Sequence, residues 1–167
     1  MGASNYNLNH AHKLLSEATL GKASDYATCW LGSCPDSLDA LQFCGMIAVK
    51  QNNPQEALEY FKRAMLQDPN EISCHINLSN VYTLLGQIET ALAHLHQVLR
   101  IQPHHAPAYN NVGNLLYKQR RFAEAIPNFE KALRIDPDYW EAHYNLAHSL
   151  AFQNQIHRAT THYQEVI

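Results

Sequence analysis

The chain has 167 residues, 46% of them apolar, which is enough to bury a core and too many for a disordered segment. Twelve Lys plus Arg against fifteen Asp plus Glu give a formal charge of -3, so no broad positive field draws the chain to nucleic acid or an anionic membrane. The longest apolar-looking stretch, Ala40 to Val49, is interrupted by Gln42 and is about half of the roughly 20 residues that a membrane-crossing helix needs.

The start, Met1-Gly2-Ala3-Ser4-Asn5-Tyr6, has no basic segment followed by an apolar one, and Tyr6 stands where a myristoylation motif has Ser or Thr. No targeting signal is read there. Cys29, Cys34, Cys44 and Cys74 make no C-x-x-C pair and no Cys/His spacing of a zinc site, so reduced thiols in a cytoplasmic protein are the simpler reading.

Pro35, Pro69, Pro103 and Pro137 stand 34 residues apart. Around them recur Leu66-Gln67-Asp68-Pro69-Asn70, Ile101-Gln102-Pro103-His104 and Ile135-Asp136-Pro137-Asp138, each of which ends one helix and starts another. Between the prolines, apolar residues recur at helical spacing in two runs per unit. Ala57, Ala91, Ala125 and Ala159 let two helices approach closely. Phe61, Leu95, Phe129 and Tyr163 follow one turn later on the same face, where they fill the space beside the alanine. Each unit reads as a helical hairpin.

In chain order, residues 4 to 37 read as a degenerate unit, which keeps Ala23 and Pro35 but has Ala27 where the bulky residue belongs and Trp30 where a smaller one is usual. Residues 38 to 71 form a full unit, with Asn53 to cap its second helix and Pro54 at the first helical position, where no amide donor is required. In residues 72 to 105, Gly86 closes the first helix and Gln87-Ile88 opens the second. Residues 106 to 139 turn at Gln119-Arg120-Arg121. Pro127 lies about one and a half turns into their second helix and removes a hydrogen bond, so a local kink or a late helix start is expected. Residues 140 to 167 turn at Asn154-Gln155 and stop inside the second helix, before the proline that should close the unit.

These residues resemble the tetratricopeptide repeat, whose 34-residue unit carries the same small, aromatic and proline positions. Gly45 and Gly113 supply that family's glycine in two units, and Ser79 replaces it in the middle one. The resemblance implies an all-α, right-handed superhelix of about ten helices in a single domain spanning residues 1–167. Its concave wall would come from the first helix of each unit.

Two columns on that wall read Phe43, Asn77, Asn111, Asn145 and Met46, Asn80, Asn114, His148. Asparagine is a mediocre helix former, yet it recurs mid-helix in three successive units. An amide offers both a donor and an acceptor, so a row of them suits the main chain of an extended peptide, with Asn110, Tyr117, Lys118 and His148 tuning side-chain preference. The other explanation is that the asparagines are duplicated residues bonding their own neighbours or water. Neighbouring wall positions Lys50, Leu84, Lys118 and Phe152 differ freely, which favours the groove.

The amide row, and Ala108-Tyr109-Asn110-Asn111-Val112-Gly113-Asn114 in particular, is similar to the repeat domain of O-linked N-acetylglucosamine transferases and to many bacterial repeat proteins. What that similarity implies is peptide binding, with no nucleotide-sugar domain in these residues. The carboxylate clamp of chaperone-binding members is not matched, since Gln42, Pro107 and Asn145 stand where it requires basic residues and only Lys50 and Lys118 lie nearby.

Eleven histidines invite a metal, but His94 and His96 point apart and His143 and His148 are five residues apart, so neither pair chelates. His104-His105 lies in a turn and faces solvent on this reading, and His75 and His143 occupy a column where the family packs an aromatic ring. No Ser/His/acid set, phosphate loop or inward carboxylate pair stands out. The sequence is therefore read as a non-enzymatic scaffold that takes a protein or peptide partner, with no cofactor, no metal and no catalytic residue. Self-association through the C-terminal repeat is expected, because a terminal repeat leaves some of its apolar residues, Leu146, Leu150, Ile156, Tyr163 and Val166, uncovered. The rival reading is the substrate-recruiting arm of a larger glycosyltransferase or methyltransferase, whose catalytic domain lies beyond Ile167.

Overall fold

The computed structural model describes residues 6–16 and 20–166. The leader position, Met1 to Asn5, and the terminal Ile167 lie outside them. The described residues form ten α-helices and no strand. They divide into two compact units that meet in sequence between Gln87 and Ile88. The first holds α1 (Leu8–Ser16), α2 (Leu20–Ser33), α3 (Leu38–Lys50), α4 (Pro54–Gln67) and α5 (Ile72–Leu84). The second holds α6 (Ile88–Ile101), α7 (Ala106–Lys118), α8 (Phe122–Ile135), α9 (Trp140–Phe152) and α10 (Ile156–Gln164).

The helix starts follow from local chemistry. Ser37 accepts from the Ala40 amide at the head of α3, and Asn53 accepts from the Glu56 amide at the head of α4, with Pro54 at the first helical position. Asn53 also donates to Glu56 Oε2 at 2.8 Å, so cap and third residue satisfy each other. His105 is not the simple solvent-facing residue expected of its turn, because its Nδ1 caps α7 by accepting from the Ala108 amide at 3.0 Å.

The first helices of the four hairpins that follow α2 end in one geometry. Asn52, Gly86, Arg120 and Asn154 all have φ between 58° and 73°, at one register 34 residues apart. That left-handed turn suits glycine and tolerates asparagine, so Arg120 is the strained member of the set.

Close packing of the hairpins rests on the small positions. Ala57, Ala91, Ala125 and Ala159 are all buried. A Cβ on Gly45 would stand 2.6 Å from the Phe61 ring, and one on Gly113 would stand 2.5 Å from the Phe129 ring. Glycine is thus the room that the aromatic occupies. In the degenerate first hairpin, where Ala27 leaves that room empty, Trp30 fills the core instead. Its ring stacks on Tyr6 at 5.9 Å and meets Phe43 at 6.2 Å.

Pro127 does not delay its helix, for α8 runs from Phe122 with the proline inside it. Next to it, Asn128 Nδ2 donates to the Glu124 carbonyl at 2.9 Å. His75 and His143 fill the ring column as expected, and each ties a proline turn: their Nε2 atoms lie 3.0 Å from the Pro69 oxygen and 2.9 Å from the Pro137 oxygen. A carbonyl only accepts, so Nε2 carries the proton in both.

At the C-terminal hairpin some of the apolar residues are uncovered and others are not. Leu146 and Leu150 are fully buried, because their face of α9 packs inward. Ile156 is 56% exposed, and Trp140, Tyr144 and Phe152 are exposed with it.

Candidate functional site

The amide column lies on the first helices of successive hairpins. In the first unit, Asn77 on α5 is half-buried and Asn80 exposed. Between α3 and α5, Asn77 lines two neighbouring cavities. One, of about 400 Å³, includes Asp39, Gln42, Phe43 and Met46; the other, of about 270 Å³, includes Met46, Val49, Lys50 and Asn80. At the mouth of the larger one, Ser73 Oγ sits 2.8 Å from both Gln42 Oε1 and Glu71 Oε1. This strip therefore has carboxylates at one end, an apolar middle around Met46, and the Lys50 ammonium beyond.

In the second unit, Asn111 and Asn114 are half-buried on α7, and Asn145 is half-buried on α9. Asn145 Nδ2 donates to Asn110 Oδ1 at 3.2 Å, and Asn110 Nδ2 donates to the Tyr139 hydroxyl at 3.3 Å. Asn110 is only 4% exposed. It is thus placed inside, where both ends of its amide are engaged, and it orients Asn145 rather than offering its own side chain. Burial raises the Tyr139 hydroxyl pKa above its ordinary value, with Glu141 adding to the effect, so the relay stays protonated at neutral pH.

Tyr117 is half-buried, and its ring meets Phe122 at 5.2 Å and Phe152 at 5.9 Å. Phe122 and Phe152 stack at 4.6 Å. Lys118 is exposed beside this cluster. His148 packs between Tyr144, at 4.5 Å, and Tyr163, at 5.5 Å. The sequence reading missed Tyr139 and Tyr144. Tyr139 carried a usable signal: it holds the cap register of Ser37, Glu71 and His105, yet makes no capping bond of its own.

No group of three or more metal-ligating side chains comes together among the described residues. A histidine pair does, and spacing along one helix did not reveal it. His143 Nδ1 and His162 Nδ1 are 3.0 Å apart, joining α9 to α10. Since His143 Nε2 donates to Pro137, His162 supplies the shared hydrogen. Burial lowers the His162 pKa, and the charges of His143 and Arg158 lower it further against Glu130 and Glu165. A depressed histidine stabilises fully above its unfolded value, roughly 6.5, and that stability is lost as pH falls through the folded value. Wild type should therefore lose stability relative to His162→Asn as urea titrations are taken from pH 7.5 to pH 5. An unchanged difference would remove the pair from the stability of this hairpin.

Burial pushes the Cys44 and Cys74 thiols up to about 11, so neither is a ready nucleophile or ligand. No helix of the described residues is long and apolar enough to cross a membrane.

Three models, each described as a tetratricopeptide repeat, match residues 48–115, 106–139 and 128–161. The chain belongs to the tetratricopeptide-repeat family. No curated protein matches this tetratricopeptide-repeat (TPR) chain. Among solved structures it is similar to PilF of Pseudomonas aeruginosa, with TM-score 0.86 and 19% identity over 95% of this chain and 72% of that one. It is similar to MamA of Desulfovibrio magneticus, with TM-score 0.81 and 21% identity over 95% and 89% of the two chains. It is also similar to YrrB, described as a TPR protein with an unusual peptide-binding site, with TM-score 0.71 and 22% identity over 96% and 82%. At such identities the likeness is one of fold.

Proposed function

We propose that this TPR chain is a protein-interaction module whose amide-bearing first helices hold extended segments of a partner. TPR fold and TPR neighbours support the module. The observation that carries the finer reading is Asn77, which stands in the wall of two neighbouring cavities with an apolar residue, Met46, common to both. A peptide bond has one donor and one acceptor, and a half-exposed amide matches both without regard to the side chain. In the second unit, Asn111, Asn114 and Asn145 offer the same groups, with Asn145 fixed by Asn110 and with Tyr117, Lys118 and His148 beside them.

Each such bond contributes about 0.5 to 1.5 kcal/mol net, so a single change is small. Asn77→Ala, Asn111→Ala and Asn145→Ala together should weaken ligands recovered by pull-down about ten-fold or more in calorimetric titration, with helix content unchanged. Equal affinity for wild type and triple mutant would assign the amides to scaffold duty alone.

Self-association is a second reading, favoured by the exposed Trp140, Tyr144, Phe152 and Ile156. Sedimentation should then show a concentration-dependent increase in mass that Trp140→Ser with Tyr144→Ser abolishes; a strict monomer at high concentration removes it.

A further inference from the structure

On the other side of α7 from Asn111 and Asn114, the second unit carries a groove of about 540 Å³. Helices α6 and α8 form its walls. Leu92, Val112 and Leu116 form an apolar floor, and Ala93, Ala123 and Pro127 leave it open. These small residues are specific to this place. At the two registers concerned, the other hairpins carry Gly21 and Asp25, Gln55 and Glu59, or His157 and Thr161, each set with at least one polar side chain that suits no apolar groove.

The rim has two carboxylates to one guanidinium. Arg121 binds Glu124 through both Nε and an amino nitrogen, at 2.8 Å and 2.7 Å, and reaches Glu89 at 3.4 Å. That bidentate pair holds the Glu124 carboxyl below its usual range, so it remains charged. Glu89 keeps most of its acceptor capacity, for its other close partner is Gln119 Nε2 on the same Oε1 atom, at 3.1 Å. A further acceptor comes from the backbone. Pro127 has no N–H, so the Ala123 carbonyl, in the groove wall, lacks the donor that a helix would bring it four residues on.

We propose that this groove is a second docking site, for a partner segment that lays an apolar side chain on the Leu92, Val112 and Leu116 floor and sets a lysine or arginine against Glu89 and Glu124. The segment's donors also satisfy the Ala123 carbonyl. Apolar floor, surplus negative charge and an orphaned acceptor all ask for the same occupant, a basic and apolar stretch of polypeptide.

The test is a phage-displayed random peptide library panned on the full chain, followed by titration of enriched peptides. The enriched sequences should pair an apolar residue with Lys or Arg. Their affinity should fall at least about ten-fold in Ala93→Trp, which fills the groove from α6, and in Ala123→Trp, which fills it from α8. Glu89→Gln with Glu124→Gln should erase the preference for basic residues, while Asn111→Ala with Asn145→Ala should leave these peptides bound. Failure to enrich any peptide, enrichment without basic residues, or equal binding to both tryptophan variants would overturn the proposal. Loss of binding in the asparagine variant alone would assign the peptides to the amide face instead.

Discussion

Gly113→Ala should destabilise the protein, although alanine is the better helix former by about 1 kcal/mol. The added Cβ would stand 2.5 Å, 2.7 Å and 2.8 Å from three atoms of the Phe129 ring. That ring is fully buried, so it has no free space to retreat into. Overpacking of this kind costs about 1 to 3 kcal/mol, and more when the intruder meets a rigid ring than when it meets a flexible chain end. Net of the helix gain, the loss should reach up to about 2 kcal/mol in urea unfolding. Phe129→Leu, which shortens the obstructing group, should itself destabilise the wild type but cost much less in the Gly113→Ala background. A coupling of zero in that double-mutant cycle would mean the ring and the glycine do not depend on each other. Gly45 and Phe61 should behave alike, since a similar clash distance of 2.6 Å separates them.

This pairing explains why the fold was legible in the sequence. Proline, alanine and the following bulky residue have fixed places in a hairpin because each solves a steric problem that recurs with the repeat. Where the repeat of residues 106–139 has Gly113, it has Phe129; where that of residues 72–105 has Ser79, it has the smaller Leu95. The last repeat has Ala147 with Tyr163, and there the ring lies half-exposed. The first hairpin was harder to read because its filling group shifted to Trp30, which moved the signal away from the register that the other units keep.

The site was less legible, for reasons visible in single residues. The repeat places Asn110 next to Asn111, and both look like ligands in a string of letters. Their faces differ by one helical step, which sends Asn110 inward to Tyr139 and Asn145 while Asn111 stays half-exposed. His143 and His162 are nineteen residues apart, so only the pairing of α9 with α10 brings them together. The groove over Val112 and Leu116 is made by absences, namely two alanines and a proline where the other hairpins have at least one polar side chain, and an absence gives no motif to find.

Pro127→Ala should raise stability by about 2 kcal/mol. A proline inside a helix costs roughly 3 kcal/mol or more, through the missing donor and the clash of its ring with the carbonyl four residues earlier. The proline is exposed, so removing its ring opens no cavity in the core. Part of the gain is offset because proline also restricts the unfolded chain, an effect of about 0.4 to 1 kcal/mol. For a chain of this length the remaining stabilisation corresponds to an increase in melting temperature of roughly 4 to 8 °C, readable by circular dichroism. An unchanged melting temperature would show that α8 has already adjusted around the proline, with the Asn128 side chain on the Glu124 carbonyl as part of that adjustment. The same substitution gives Ala123 its helical donor and so withdraws the orphaned acceptor from the groove wall. A more stable protein that binds basic, apolar peptides less tightly is therefore the expected pair of results, and no purely structural role for Pro127 produces the second of them.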